Sequence, residues 1–295
     1  MGMGQITPPI PDLFQNPSNP DVVAHKMIEL PQGGDSAALA SAKMYSQAGL
    51  RIVDGGATNA SGGSVTLPAG GITTKIQWDA REGKNMTITE INVGVMRAAG
   101  GFPANGVVYV AGTNTSQNPA VRLVNASQLP SQGLTVVSQN PVYVLGDYNT
   151  VNKVAASVMG DAITVLSNGW VQYDQNGNQT GSNDNQQDNT QRIAKDTTVN
   201  AAFALAPGAE STQNQGNGQL ENSIRFLENW GSKNFNYSGS IIALWHSQQA
   251  IAQWACCNYY SPPIRHWSYD TLFSTTPPPG TPQGILMLKL RWSQS

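Results

Sequence analysis

Residues 134–168 read LTVVSQNPVYVLGDYNTVNKVAASVMGDAITVLSN and contain four short runs of β-branched and apolar residues. Asn, Gly, Ser and Pro separate these runs, and charged residues are rare. Runs of this kind predict short β-strands joined by tight turns. Similar runs occur earlier, at 106–112 and 120–126, and later, at 199–207 and 238–245. The chain therefore uses one structural unit repeatedly, at irregular spacing.

The runs are continuously apolar, which is typical of strands that are packed on both faces or paired in parallel. No intervening segment has the length and pattern of a crossover helix. Parallel strands need crossover connections, and a β-solenoid provides them without helices. Each coil lies about 4.8 Å from the previous one, and the turns between strands serve as crossovers. We therefore predict an all-β fold, a right-handed parallel β-helix (β-solenoid) with a short N-terminal helix and an aromatic-rich C-terminal cap. The alternative is a β-sandwich.

The chain divides into an N-terminal arm and one large domain. Residues 1–36 are rich in Pro, Asn and Gly, which predicts an extended arm. Residues 37–295 form a single predicted β-solenoid domain. This domain opens with a helix, since Ser36 precedes AALASAKMYSQ at helical spacing and Gly49 stands where a helix would end.

The predicted C-terminal cap spans residues 220–295. It begins with LENSIRFLENW at 220–230, where apolar residues recur at helical spacing and predict a helix. It ends with GILMLKLRW at 284–292, which predicts a last strand. Earlier in the chain, MTITEINVGVM at 86–96 alternates with period two and predicts another strand.

Charge and hydropathy limit the possible partners. Only 12% of the residues are charged and the net charge is -2, so there is no cluster of Lys and Arg for nucleic acid. No apolar run reaches the roughly 18 residues that a membrane span needs. The first residues, MGMGQITPPIPDLF, do not resemble a secretory signal. If the protein is exported, we expect its signal to lie outside this chain.

A polar segment at 173–192, YDQNGNQTGSNDNQQDNTQR, predicts a flexible Asn/Gln-rich loop. Within it, Asp174, Asn176, Asn178 and Thr180 have the alternating oxygen spacing of a calcium-binding loop. The glycine and glutamate of an EF-hand are not at their required places. Calcium is therefore the only cofactor that the sequence suggests, and we expect no other cofactor.

The chain becomes rich in aromatic residues after position 244. Packing in a core or cap explains so many rings within about thirty residues more simply than exposure does. The alternative is that some rings stack on sugars. The candidate ligand-binding residues are then Trp254, Tyr259, Tyr260 and Trp267. We expect His246 and His266, which lie in the same region, to be packing residues.

Few residues suggest catalysis. Cys256 and Cys257 are adjacent, so their Cα separation of about 3.8 Å is too short for a relaxed disulfide. We expect buried thiols, with a strained vicinal disulfide as the alternative. Asp147 and Asp161 could act as acid and base if they occupied successive corners. The scarcity of ionisable groups favours a protein without enzymatic activity, and a function in this region would involve the corner residues Asp147, Asn149 and Asp161.

Several segments carry a family resemblance. GDAITVLSN, GQLENSIRFLENW, GSIIALWHSQQA and YYSPPIRHWSYDTLF resemble the C-terminal extracytoplasmic region of bacterial PilX-like pilus-assembly proteins, and the resemblance extends from about residue 40 onward. It implies a β-rich surface or pilus-associated role, although such proteins usually carry an N-terminal apolar helix that this chain lacks. The resemblance implies no particular ligand-binding or catalytic residue.

These observations predict a non-enzymatic extracellular structural or adhesive domain of a pilus-like apparatus at the bacterial cell surface. Its expected partners are further copies of itself or other pilus and surface components. The alternative is a carbohydrate-binding or carbohydrate-active β-helix protein, whose partner would be a glycan.

Overall fold

The computed structural model describes residues 24–173, 179–206, 210–211, 215–216, 223–252 and 259–281. Within these residues the fold is all-β, with a few short helices. The α-helices are α1 Ala37–Ala42, α2 Met44–Gln47 and α3 Val93–Ala98, and short 3₁₀ helices span Thr115–Gln117 and Thr271–Ser274. The strands, in chain order, are β1 Leu50–Val53, β2 Gly56–Asn59, β3 Ile72–Asp79, β4 Lys84–Asn92, β5 Val107–Ala111, β6 Pro119–Val124, β7 Leu134–Val137, β8 Val142–Leu145, β9 Ala156–Met159, β10 Ile163–Leu166, β11 Val171–Tyr173, β12 Gln179–Ser182, β13 Thr197–Leu205, β14 Glu210–Ser211, β15 Gln215–Gly216, β16 Ile224–Phe226, β17 Asn234–Ala243 and β18 Ile264–Tyr269.

Two large sheets contain most of the strands. Sheet A has the order β18-β17-β13-β9-β7-β5-β1-β2, and sheet B has the order β16-β10-β8-β6-β4-β3. Neighbours pair in parallel except for β1 with β2 and β3 with β4, which are antiparallel. From β4 to β10 each successive strand belongs to the other sheet. β11 with β12 and β14 with β15 form two small antiparallel pairs.

The main core lies between the two sheets. Val136 and Phe203 of sheet A and Val144 and Val165 of sheet B are almost completely buried in it. The outward-facing residues are buried too, because further segments cover both sheets. Met27, Met44 and Trp245 cover sheet A, whereas Trp170 and Leu227 cover sheet B. This double coverage explains why the strand sequences are apolar without alternation.

The predicted N-terminal helix is divided in two. Ser36 caps α1 as expected, its hydroxyl accepting a hydrogen bond from the Leu39 N–H at 3.2 Å. At Lys43 the backbone becomes extended, with φ -63° and ψ 145°, and α2 begins afterwards. The break lets the buried Lys43 ammonium reach the Asp35 carboxylate at 2.6 Å and the Leu30 carbonyl at 2.9 Å. A continuous helix would forgo this geometry.

The described part of the predicted arm is not extended. Residues 24–28 form a helical turn whose Ala24, Met27 and Ile28 side chains are buried against the outer face of sheet A. Residues 1–23 lie outside the described residues. The boundary between arm and domain stays a prediction.

One predicted element has the wrong secondary structure, and a second is correct only in its first part. The helix predicted within 220–230 is wrong, because Ile224–Phe226 form β16 and Ile163 of β10 pairs with Ile224 in parallel. Ile224 and Phe226 both enter the main core, as alternate residues of a strand do. The strand predicted over 86–96 ends at Asn92, whose side chain caps α3 by accepting from Val95 N–H at 3.1 Å. The strand predicted at 284–292 lies outside the described residues.

Buried contacts hold the described part of the predicted flexible loop. The Arg192 guanidinium is 1% exposed and donates to the Gln186, Gln187 and Tyr259 carbonyls at 2.9, 2.7 and 2.8 Å. Asp184 accepts from the Trp170 indole N–H at 2.7 Å. These bonds fasten the segment that follows β12 to Trp170, which covers sheet B, and to the C-terminal region.

Candidate interaction edge and predicted site residues

Strand β18 lies at the end of sheet A among the described residues, and most of its side chains are exposed. Its register with β17 runs from the pair Asn234 and Ile264 to the pair Gly239 and Tyr269. In the described part of the chain no strand pairs with its other side. Ile264 is 49% exposed and Tyr269 is 60% exposed. A strand with one unpaired side is a template for pairing with another chain.

Side-chain contacts hold this edge in place. The Trp267 ring packs inward at 6.1 Å from the Tyr237 ring in a T-shaped arrangement, and the Arg265 guanidinium lies 5.5 Å from the Trp267 ring centroid. His266 Nε2 lies 3.1 Å from the side-chain oxygen of Asn234 on the neighbouring strand. Because the strand is fixed before any partner arrives, pairing along it would cost little ordering entropy.

The loop after β18 is anchored as well. The Asp270 carboxylate accepts from the Lys153 ammonium at 3.0 Å and from the Leu272 N–H at 3.1 Å. The Tyr269 and Phe273 rings lie 6.3 Å apart in a T-shaped arrangement. The edge strand is therefore supported at its C-terminal end.

The predicted ligand-binding aromatics do not form an exposed platform. Tyr259 and Tyr260 are 6% and 4% exposed, and their rings stack on each other with centroids 5.6 Å apart. Burial leaves neither ring free to stack on a sugar. Trp267 is half-buried. Trp254 lies outside the described residues.

The predicted metal and thiol sites also lie outside the described residues. Asp174, Asn176, Asn178, Cys256 and Cys257 belong to the segments that the structure leaves undescribed. Among the residues it does describe, no group of three or more His, Cys, Asp or Glu could hold a metal ion. The calcium hypothesis stays a prediction.

Two of the predicted corner residues stabilise turns. Asp147 accepts from the Asn168 side-chain amide at 2.9 Å and from the Thr198 N–H at 2.8 Å. Asn149 has a left-handed backbone, with φ 58°. Its buried side-chain amide donates to the Val154 carbonyl at 2.7 Å. These contacts join neighbouring turns of the chain.

The third corner residue, Asp161, lies in a different setting from Asp147. It is completely buried and accepts from the N–H groups of Gln248, Gln249 and Ala250 at 2.6, 3.1 and 2.8 Å. It also contacts His25 Nε2 at 3.1 Å. The structure therefore does not join Asp147 and Asp161 as an acid and base pair, since each is committed to its own set of partners.

His25 completes this buried cluster, although no sequence pattern marks it as a site residue. Its Nδ1 lies 2.8 Å from the Glu29 carboxylate. Burial alone would lower the pKa of His25, but hydrogen bonds to Asp161 and Glu29 outweigh it and the pKa is raised. The cluster thus favours a charged imidazolium between two carboxylates. No local pattern could have revealed it, because His25 and Asp161 are 136 positions apart.

A row of polar side chains crosses the outer face of sheet B. The β-sheet register aligns Glu90, Arg122, Tyr143, Thr164 and Arg225 on five neighbouring strands. Arg122 pairs with the Glu90 carboxylate at 2.6 Å, and Tyr143 is 1% exposed. In the sequence, this row is marked only by an arginine or a tyrosine inside an otherwise apolar strand.

The polar row is closed by acidic partners from covering segments. Asp184 lies 2.6 Å from the Arg122 guanidinium, and Glu82 lies 2.7 Å from the Arg225 guanidinium. Burial would lower the pKa of Arg122, but Asp184 and Glu90 raise it. The arrangement balances charge under a cover, which is typical of a structural network.

No protein family, curated protein or solved structure matches this chain. In the described residues, no helix combines the length and apolarity needed to cross a membrane. The resemblance to pilus-assembly proteins stays a prediction from the sequence.

Proposed function

We propose that this chain is a non-enzymatic extracellular structural or adhesive domain of a pilus-like bacterial surface apparatus, built as a right-handed parallel β-helix. The exposed edge of β18 is the observation that carries the proposal. The low charge of the sequence and its resemblance to pilus-assembly proteins favour the same role.

Strand order supports the β-helix. Successive strands from β4 to β10 alternate between the sheets, while each pairs in parallel with the strand two positions earlier or later. Parallel crossovers within one sheet are right-handed in about 98% of cases. Asn125, Gly146 and Asn149 have positive φ values of 53°, 75° and 58° at turns between strands. Predominantly parallel pairing favours this architecture over the β-sandwich alternative.

The proposed partner of β18 is a second copy of the chain. Two copies of one edge strand can pair in antiparallel fashion about a two-fold axis, with the same surface used twice. Main-chain hydrogen bonds would supply affinity, and the exposed Ile264 and Tyr269 side chains would add apolar contact. Self-association of this kind suits a structural component better than an enzyme.

Sedimentation velocity across a range of concentrations tests the proposal. Ile264→Lys and Tyr269→Lys place positive charge on the edge, so each should shift the protein towards monomer. Val151→Lys is the matched control, because Val151 is 47% exposed in a loop. A wild-type protein that stays monomeric throughout, or edge variants that assemble as the wild type does, would refute self-association through β18.

The alternative of carbohydrate binding has one supporting observation. Tyr269 is 60% exposed beside the Phe273 ring, which leaves an aromatic face open to a sugar. A glycan array with wild type, Tyr269→Ala and Trp267→Ala separates this from self-association. Glycan binding lost only in the aromatic variants would favour it, and carbohydrate-active chemistry would further require product release from the bound glycan.

A further inference from the structure

A cavity of about 280 Å³ lies on the outer face of sheet A. Its floor is a row of small side chains, Thr135, Ser157, Ala202 and Ser240, from the adjacent strands β7, β9, β13 and β17. Three strand spacings separate the ends of this row, which makes the floor roughly 14 Å long. The cavity therefore fits an elongated molecule.

Apolar residues complete the lining. They include Met27, Met159, Leu244 and Phe273. Residues 277–281, here named the proline strap, line the cavity as well. Sheet A and the strap thus enclose a slot between a strand face and a separate piece of chain.

The proline strap is fastened to the sheet. The Thr135 hydroxyl donates to the Pro279 carbonyl at 2.6 Å. Pro279 also packs closely on Gly106 and Gly133, where an added Cβ would lie 2.8 and 3.1 Å from proline side-chain atoms. Because both glycines have positive φ and no side chain, the strap can approach the sheet this closely.

The chemistry of the lining selects the ligand. None of the residues around the cavity is charged. Ser157 is 9% exposed, and within the described residues its hydroxyl has no hydrogen-bond partner. A hydroxyl that lines a cavity and has no protein partner can donate to, or accept from, a polar group of a bound molecule. An apolar pocket with one or two placed polar atoms is the usual form of a small-molecule site.

We propose that the cavity binds a neutral, unbranched apolar molecule with one hydrogen-bonding group, such as a fatty alcohol or a fatty-acid ester. The chain lies along the small-residue floor and the polar group bonds to the Ser157 hydroxyl. A free carboxylate is disfavoured, because no cation in the lining compensates for its loss of hydration.

Fluorescence of the neutral dye N-phenyl-1-naphthylamine with the full chain tests the proposal. The wild type should bind the dye saturably, and 1-decanol and methyl decanoate should displace it at concentrations at least tenfold lower than decanoate does. The proposal fails if dye binding does not saturate, which is also the result expected if residues 282–295 of this chain occupy the cavity. It fails likewise if decanoate competes with the dye as well as 1-decanol does.

Two variants locate the site. Ser157→Ala should weaken 1-decanol about fivefold to tenfold, as expected for a lost hydrogen bond, while dye affinity changes little. Ala202→Leu should abolish dye binding by filling the floor. Thr74→Leu, on the exposed strand β3, is the matched control and should bind as the wild type does. Unchanged decanol affinity in Ser157→Ala would overturn the assignment even if Ala202→Leu failed to fold.

Discussion

The Tyr143 hydroxyl donates a 2.6 Å hydrogen bond to the Asp79 carboxylate, across 64 positions of sequence. The other Asp79 oxygen accepts from the N–H groups of Arg81 and Glu82 at 2.8 and 2.9 Å. Burial and then the neighbouring Asp79 charge raise the pKa of Tyr143 well above its usual value, so its proton stays available for donation. One phenol therefore fastens the tip of the β3–β4 hairpin to the centre of sheet B.

We expect Tyr143→Phe to lower the free energy of unfolding by about 1 to 3 kcal/mol, because Asp79 would keep its burial and lose a donor. Tyr148→Phe is a matched control. The Tyr148 hydroxyl is equally buried and has no hydrogen-bond partner within the described residues, so its removal should be neutral or stabilising. Urea denaturation of both variants measures the difference, and equal losses would contradict it.

Glu228 should make stability fall as pH rises. Burial raises its pKa to about 7 against the hydrogen bonds from Ser167 and the nearby Arg192 charge, which lower it. The folded state therefore holds a proton that the unfolded state releases near pH 4.5, and stability declines between about pH 4.5 and 7. The shift corresponds to about 3 kcal/mol over that range.

Glu228→Gln should flatten this decline, as measured by denaturation at half-unit pH intervals. Asp188→Asn is the control, because hydrogen bonds from Thr190 lower the pKa of the exposed Asp188 carboxyl and its titration lies below this range. A slope in Glu228→Gln that equals the wild-type slope would show that other groups cause the pH dependence.

Arg122 should be the costliest charge to remove from sheet B. Arg122→Met leaves the Glu90 and Asp184 carboxylates facing each other without their shared cation. We expect a loss of about 3 kcal/mol in unfolding free energy. Glu90→Gln should cost about 1 kcal/mol, because the Arg122 pair with Asp184 remains. Thermal or chemical denaturation ranks the two variants, and a smaller effect in Arg122→Met would be inconsistent with the network.

Gly239 is required by close strand contact. A Cβ at this position would lie 1.9 Å from the Ala201 carbonyl oxygen of β13, which is backbone and cannot move aside locally. Gly239→Ala should therefore destabilise the protein by about 3 kcal/mol or prevent folding. Gly34→Ala is the control, since no atom lies within 4 Å of its added Cβ. Similar melting temperatures for the two variants would contradict the predicted clash.

Strand positions were the most predictable part of the fold. Apolar runs around Val136, Val144, Val158 and Val165 became β7 to β10, because local composition and burial agree there. Segment 220–230 was mispredicted since Ile224 and Leu227 are spaced like one helix face, although one enters the main core and the other covers sheet B. Tertiary packing, rather than the spacing of apolar residues in the sequence, therefore makes this segment a strand instead of a helix.

The site residues were much less predictable. Aromatic density correctly marked a region of burial around Tyr259 and Tyr260, but it could not show which ring would remain at an edge. The Ser157 cavity depends on a register between strands and on a strap more than a hundred positions away, such as the bond from Thr135 to Pro279. Such pairings have no local sequence signal.

The contact between His25 and Asp161 has a consequence for synthesis. A ribosome adds about 5 to 20 residues per second, so the 136 positions between the two residues correspond to a delay of roughly 7 to 27 seconds. The N–H groups at 248–250 that complete the cluster emerge later still. During this interval sheet A is incomplete, so part of the surface that the apolar Met27 and Ile28 cover has yet to form. A nascent chain would gain from a chaperone that shields them until β9 and the C-terminal region arrive.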